Sequence, residues 1–376
     1  MSAFTRALLP GLALAVTGCG LLGRLQVERV ASGYEAPSQV AAYLTIEQRG
    51  EGVGGLTASQ LTVLEDEQDV TAEAKVTLLD RALVAYHHTV LLVDLSKPDP
   101  ALLEVMNEAA RRLAQSRDVT VLGFDGSPEP FVIGAVEKGA TGVQLAVPDE
   151  ARDASRDLNG AVVTTLTRLS SALGGVARPI RRGSLLVITR GTDLAHRVPQ
   201  DALIRELDRT EHQVFALVAG PDESSFHREL GRNGGARVDE ELDIYGAADQ
   251  LINRMEQKLE GEYLVSYCSP ARAGTRLVRI EATVTDDTRD RRGDVEFEID
   301  ATGFGPGCDP TRPPTSLGVL QAAPPPNLPE PSPEPGAPPT TPPAPGPAPK
   351  LTPKPGTKPP DDGIVPPPNT PDYQSP

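Results

Sequence analysis

The chain contains no tryptophan, and Phe and Tyr bring its aromatic content to only 4%. Any core must therefore be aliphatic, built from Val, Leu, Ile and Ala, and few rings are left on which nucleic-acid bases could stack. Positive charge is also in deficit. The formal net charge is −16, so nucleic acid and anionic headgroups are repelled and no nucleic-acid partner is expected. Histidine and cysteine are scarce, with five and three copies. No H-E-x-x-H, C-x-x-C pair, G-x-S-x-G elbow, Walker loop or Rossmann glycine fingerprint occurs. His87 and His88 are adjacent and would face opposite ways in a strand, which suits a structural role better than a shared ligand. These absences predict a chain that is not an enzyme and uses no cofactor.

Proline is abundant but unevenly placed, with 25 of 38 copies in the last 66 residues. The segment 311–376 alternates Pro with Ala, Gly, Thr, Glu and Lys, a composition expected to be disordered with polyproline II character. Lys350, Lys354 and Lys358 either touch anionic envelope polymer or simply keep the tail solvated. Without this tail and a short leader about 290 residues remain, enough for one substantial core or two modest ones.

At the other end, Arg6 precedes an apolar run, Ala7 to Val16, that is too short to span a bilayer. Val16-Thr17-Gly18-Cys19 resembles the bacterial lipobox. The resemblance implies a signal peptide over 1–18 and lipidation of Cys19, with the chain held at a membrane it does not cross. Gly20, where an Asp would favour the inner membrane, points to outer-membrane attachment in the cell envelope. In that oxidising compartment Cys268 and Cys308 are an even pair, expected to form a disulfide, with two buried free thiols as the alternative.

Between these ends the hydrophobic pattern changes twice. Residues 19–86 read as a small β module, with Val40, Ala42, Leu44 and Ile46 alternating along one strand and a second strand over Leu61 to Leu64. From residue 87 strands and helices alternate: Thr89 to Asp94, Asp118 to Asp125, Phe131 to Val136, Gly183 to Thr189 and Gln213 to Ala219 are strands. Helices fall after Pro100, around Leu158 to Leu173, over Pro199 to Asp208, near Ser224 to Leu230, and over Tyr245 to Leu259. This predicts the α/β class, with a doubly wound, mostly parallel sheet, a small accessory β module and a disordered proline-rich tail. Residues 269–310 are expected to form a β-hairpin, its strands joined by a charged turn from Asp286 to Gly293.

In such a sheet, ligands bind at the carboxyl ends of the strands, and the first strand ends in Asp94-Leu95-Ser96-Lys97-Pro98. This Asp-x-Ser, in this order of elements, resembles the von Willebrand factor type A family over about Thr89 to Ser266, within a domain expected to span residues 87–268. The family holds Mg²⁺ with an Asp-x-Ser-x-Ser run, a Thr opening a later helix and an Asp after the fourth strand. Asp94 and Ser96 match. Pro98 replaces the second Ser, Arg156 occupies the Thr position before Asp157-Leu158, and Arg190 replaces the Asp in Thr189-Arg190-Gly191. Arginine has no lone pair for a metal. The expected rim of Asp94, Ser96, Arg156 and Arg190 therefore carries no metal, one guanidinium pairing with Asp94 in the ion's place, while Asp193 and Ser155 keep a partial shell open. Asp94 as a plain loop anchor is the alternative. Tyr263 to Tyr267 are expected to close this domain.

The function that follows is a lipid-anchored envelope lipoprotein acting as a protein-interaction module, for adhesion or scaffolding, toward an unidentified envelope or extracellular protein. The alternatives are a structural envelope protein binding through its β module or tail, and a non-catalytic accessory factor in envelope assembly.

Overall fold

The computed structural model describes residues 24–148, 151, 153–220, 226–239, 243–286 and 289–319. Cys19, the leader before it and residues 320–376 of the proline-rich segment lie outside the described residues.

The described chain begins with β-structure. β1 (Gln26–Glu35) and β2 (Gln39–Gln48) pair antiparallel, β3 (Glu51–Gly52) adds to β2, and β4 (Leu61–Glu65) pairs with β5 (Gln68–Asp69). Helix α1 (Thr71–Ala74) and β6 (Thr77–Leu79) lead into β7 (Ala85–Asp94). Strand and helix then alternate through α2 (Pro100–Leu113), β8 (Asp118–Phe124), β9 (Phe131–Val136), α3 (Leu158–Gly174), β10 (Ile180–Thr189) and α4 (Gln200–Arg209). β11 (Gln213–Ala219), α5 (Phe226–Leu230), β12 (Gly234–Val238) and α6 (Ile244–Glu260) follow. β13 (Glu262–Cys268), the long hairpin of β14 (Thr275–Asp286) and β15 (Arg289–Asp300), and β16 (Gly318–Val319) complete it.

The central sheet has the order β12-β11-β10-β7-β8-β9, parallel throughout except for β9 at the edge. The protein is thus α/β with a doubly wound, mostly parallel sheet. Side chains alternate across each strand, and this decides the layers. Leu91 and Val93 of β7, with Leu186 and Ile188 of β10, pack under α2 and α6, whereas Val90, Leu92, Leu185 and Val187 pack under α3 and α4. Both faces are apolar, so these strands read as continuous hydrophobic runs. At about 1.5–3 kcal/mol for each buried aliphatic side chain, this two-sided burial is the main force holding the body.

The helices start where the sequence caps them. Asp99 Oδ1 accepts from Ala101 N at 2.7 Å, and Pro100 at the first turn has no N–H to leave unpaired. Asp157 Oδ1 accepts from Gly160 N at 3.2 Å to open α3, which runs out at Gly174-Gly175. Both caps sit beside the strand ends where a site is expected, so the loops they anchor are fixed in place.

Two antiparallel sheets flank the α/β layers. One has the order β16-β1-β2-β13-β6, with β3 on β2, and the other β15-β14-β4-β5. Their facing sides share a core of Val40, Ala42, Leu44 and Ile46 with Val63, Ile280 and Phe297. The opposite side of β2 presents Ala41 and Tyr43 toward Ala85 and Ile180 at the start of the central strands.

Three expectations change here. Glu262–Cys268 does not close the central sheet: it pairs with β2 and β6, with Val265 and Tyr267 facing one core and Leu264 the other. Residues 289–293 are not part of a turn: they extend β15, with pairing running from Ala282 and Gly293 to Asp286 and Arg289. The segment after 310 is not structureless over its first residues. Thr315 N and Oγ1 donate to Glu35 at 2.7 and 2.8 Å, Leu317 is buried, and β16 pairs with the edge of β1.

Candidate functional site

β7 and β10 lie side by side and end together, so Asp94 and Thr189 meet at the carboxyl rim of the central sheet. Asp94 is 1% exposed in its side chain and both carboxylate oxygens are committed. Oδ1 accepts from Ser96 N at 3.0 Å and Ser96 Oγ at 2.6 Å. Oδ2 accepts from Arg156 Nε at 2.5 Å, Thr189 Oγ1 at 3.1 Å and Arg190 N at 3.1 Å. Burying a carboxylate is costly unless an opposite charge and several donors surround it.

Arg156 is the cation of the pair. It stands just before the Asp157 cap, its side chain is 13% exposed, and Nη1 also donates to Thr192 O at 3.0 Å. Its own carbonyl accepts from Leu194 N and Ala195 N at 2.8 and 2.9 Å, tying the loop after β10 to the start of α3. Arg190 behaves differently. Its backbone N donates to Asp94, and its guanidinium pairs with Asp99, the cap of α2. Of the two arginines, one takes the carboxylate and the other holds a helix start.

The remaining expected residues are close but separately occupied. Ser155 Oγ donates to Asp153 Oδ1 at 2.7 Å, and Asp193 accepts from Asn159 N at 3.1 Å and His196 N at 2.6 Å. Neither joins Asp94. Asp125 also belongs to the rim, its Oδ1 and Oδ2 accepting from Ser127 N and Asp153 N at 2.8 and 3.2 Å. At Gly126 a Cβ would meet Ser155 Oγ at 1.9 Å, so a larger residue would displace the Ser155 and Asp153 side chains. The Asp94 donor set does not fit a divalent ion. Mg²⁺ demands six oxygens in near-ideal octahedral array, whereas the position beside Asp94 Oδ2 is held by a guanidinium nitrogen. Among the described residues no group of three or more His, Cys, Asp or Glu is arranged to hold a metal.

Two participants were not anticipated. Thr189 donates to Asp94 and takes Gly191 N at 3.4 Å, fixing the turn, and Asp99 partners Arg190. Asp99 was signalled by its place before Pro100, and Thr189 by its place in the Thr-Arg-Gly run, but neither signal states a partner.

Cys268 and Cys308 form a disulfide. His87 and His88 face opposite sides of β7: His87 Nε2 lies 2.6 Å from Glu262 Oε2, which also accepts from Tyr43 Oη at 2.5 Å, while His88 Nε2 lies 3.1 Å from Thr120 Oγ1. Burial and the Glu262 charge push the Tyr43 hydroxyl far up, so it stays protonated as a donor. Burial pushes His88 down. No helix among the described residues is long and apolar enough to cross a membrane.

No protein-family model and no curated protein sequence matches the chain. Among solved structures it is similar to the ArnB paralog VWA2 from Sulfolobus acidocaldarius, at 10% identity and TM-score 0.34, over 74% of this chain and 76% of that one. It is similar to a von Willebrand factor type A protein from Catenulispora acidiphila, at 10% identity and TM-score 0.38, over 76% and 75%. Proximal thread matrix protein 1 from the mussel byssus matches at 11% identity and TM-score 0.31, over 52% of this chain and 50% of its own.

Proposed function

We propose that this chain is a lipid-anchored bacterial envelope protein whose α/β layers serve as a metal-independent protein-interaction module of von Willebrand factor A type, and that it binds without catalysing. The observation that carries the reading is the Arg156 guanidinium on Asp94 Oδ2 at 2.5 Å. A permanent cation stands where a resembling site would exchange ligands around an ion, so the rim is held in one arrangement and keeps its charge without a cofactor. A surface fixed in this way suits docking, because little ordering is left to lose on binding. Cys19 supplies the anchor, and the outer membrane is its expected location.

The partner surface is the rim around Leu194, which is 56% exposed, with Arg156 and Arg190 behind it. In-cell cross-linking of the anchored chain tests this: Leu194→Asp is expected to abolish a specific adduct while leaving the melting temperature unchanged. An adduct that persists would move binding to the β sheets or the tail. Calorimetric titration with Mg²⁺ is expected to be silent, and saturable micromolar binding would refute metal independence.

A further inference from the structure

Strand β1 pairs with β2 along its whole length, but on its other side only Ala31 and Ser32 meet a strand, opposite Val319 and Gly318 of β16. Among the described residues no strand pairs with the rest of that edge, from Gln26 to Val30. An open edge offers its N–H and C=O groups to any extended chain.

The segment that reaches β16 keeps one register along β1. Thr315 N and Oγ1 donate to the Glu35 carboxylate at 2.7 and 2.8 Å, and Ser316 Oγ donates to Tyr34 O at 2.8 Å. Gly33 lets the backbone close in, since a Cβ there would meet Leu317 Cα at 2.7 Å. Leu317 fills the core shared by Ala31, Tyr43 and Leu264. The chain is therefore laid antiparallel along β1, from Glu35 toward Gln26, and residue 320 is next in line for Val30.

The sequence supplies a strand of matching length. Residues 315–323 (TSLGVLQAA) are the longest run without proline between Thr311 and Pro376, nine residues. Each of them carries the N–H that a ladder requires and that proline lacks. In the register of β16 the run lies opposite Glu35 back to Val27, so prolines resume at Pro324, the position facing the first residue of β1.

We infer that the open edge of β1 is the docking site of the chain's own Leu320–Ala323, which continue β16 so that residues 315–323 form one strand along β1. That strand closes the edge with the chain's own backbone, and β1 is then no site for strand addition by a partner. It also clasps the segment that enters the proline-rich region to the first strand of the body. The inference does not depend on the role proposed for the rim.

The test is amide hydrogen exchange over Gln26 to Val30, with Val40 to Ile46 of β2 as the reference for an intact sheet. The full chain and a chain ending at Ala323 are expected to exchange alike. A chain ending at Val319 is expected to exchange about tenfold faster over Gln26 to Val30, through loss of two or more backbone hydrogen bonds, with β2 unchanged. Leu320→Pro with Gln321→Pro in the full chain is expected to reproduce that increase, because one of two adjacent residues faces β1 and proline has no N–H to give. Equal exchange in the full chain and the chain ending at Val319 would mean that pairing stops at the register shift between Arg29 and Ala31, and would overturn the inference. Protection that is lost in the chain ending at Ala323 would assign the edge to the proline-rich segment, and protection that falls on dilution would assign it to a second copy; either would also overturn it. Should the chain ending at Val319 lose the protection of β2 as well, the full-length double-proline variant decides: faster exchange over Gln26 to Val30 with β2 intact supports the strand, and unchanged exchange refutes it.

Discussion

Replacing Arg156 by Met is the most direct probe of the rim, because it removes the guanidinium and keeps much of the stem. Asp94 would stay buried at 1% exposure with four of its donors, Ser96 N, Ser96 Oγ, Thr189 Oγ1 and Arg190 N, and with no cation at 2.5 Å. Breaking a buried ion pair by deleting one partner costs about 3–5 kcal/mol. The surviving neutral donors place this case at the lower end, about 3 kcal/mol, since they still solvate the carboxylate. A domain of this size loses about 2–4 °C of melting temperature per kcal/mol, so a fall of about 6–12 °C is expected by scanning calorimetry. Asp94→Asn combined with Arg156→Met removes the stranded charge, and the double variant is expected to recover part of the loss, the signature of direct coupling. A single variant melting within about 2 °C of the parent would refute the claim that this pair holds the rim.

Further outcomes follow from other contacts. Burial pushes the Glu262 carboxyl up, but the hydrogen bond and charge of His87, the charge of Arg182 and the Tyr43 hydroxyl outweigh it and leave the group below the ordinary carboxylate range. A carboxyl depressed in this way contributes stability above its unfolded pKa of about 4.3, and that stability is lost as pH falls through the folded value. Urea unfolding across acidic pH is therefore expected to show a shallower slope in Glu262→Gln than in the parent, and identical slopes would contradict the assignment. Replacing Cys268 and Cys308 by Ser opens a sequence separation of 40 residues. On the chain-entropy relation this costs about 4 kcal/mol, visible as a lower denaturant midpoint, and an unmoved midpoint would mean the crosslink constrains nothing. Gly52→Ala would drive a Cβ to 2.0 Å from Gln257 O and is expected to cost about 2 kcal/mol. Gly246→Ala, in α6 with open space around it, is expected to add about 0.5–1 kcal/mol. Equal effects of the two would show that close backbone approach is not what selects Gly52.

The central sheet was legible because strands buried on both faces must be apolar at every position. Gln213–Ala219 appears with the bounds the pattern predicts, and the edge strand Phe131–Val136, open on one side, also keeps its predicted bounds. Strand β7 starts earlier than expected, at Ala85, because Tyr86, His87 and His88 look polar to a pattern search, yet Tyr86 and His88 find Asp118 and Thr120 on β8 and His87 finds Glu262 on β13. The placement of Glu262–Cys268 was illegible for another reason. Alternation tells which side chains share a face, not which neighbouring strand will supply the backbone partners, and the partner here is more than two hundred residues upstream. At the rim, the residue types fixed the chemistry: one of two arginines had to meet Asp94. Choosing Arg156 over Arg190 depended on the Asp99 cap drawing Arg190 away, a competition between two carboxylates that no linear spacing encodes.

The pairing of β13 between β2 and β6 also sets an order of events. β2 gains its inner neighbour only after residues 262–268 have been made, so a chain emerging from its N-terminus carries an open, apolar strand edge while the α/β layers form. Such an edge is a template for wrong pairing. Folding of this antiparallel sheet is therefore obliged to come last, and the α/β layers are held between its two halves as an insert whose completion closes the sheet. A chain truncated before Glu262 is left with that edge permanently uncovered, however well its central sheet has formed.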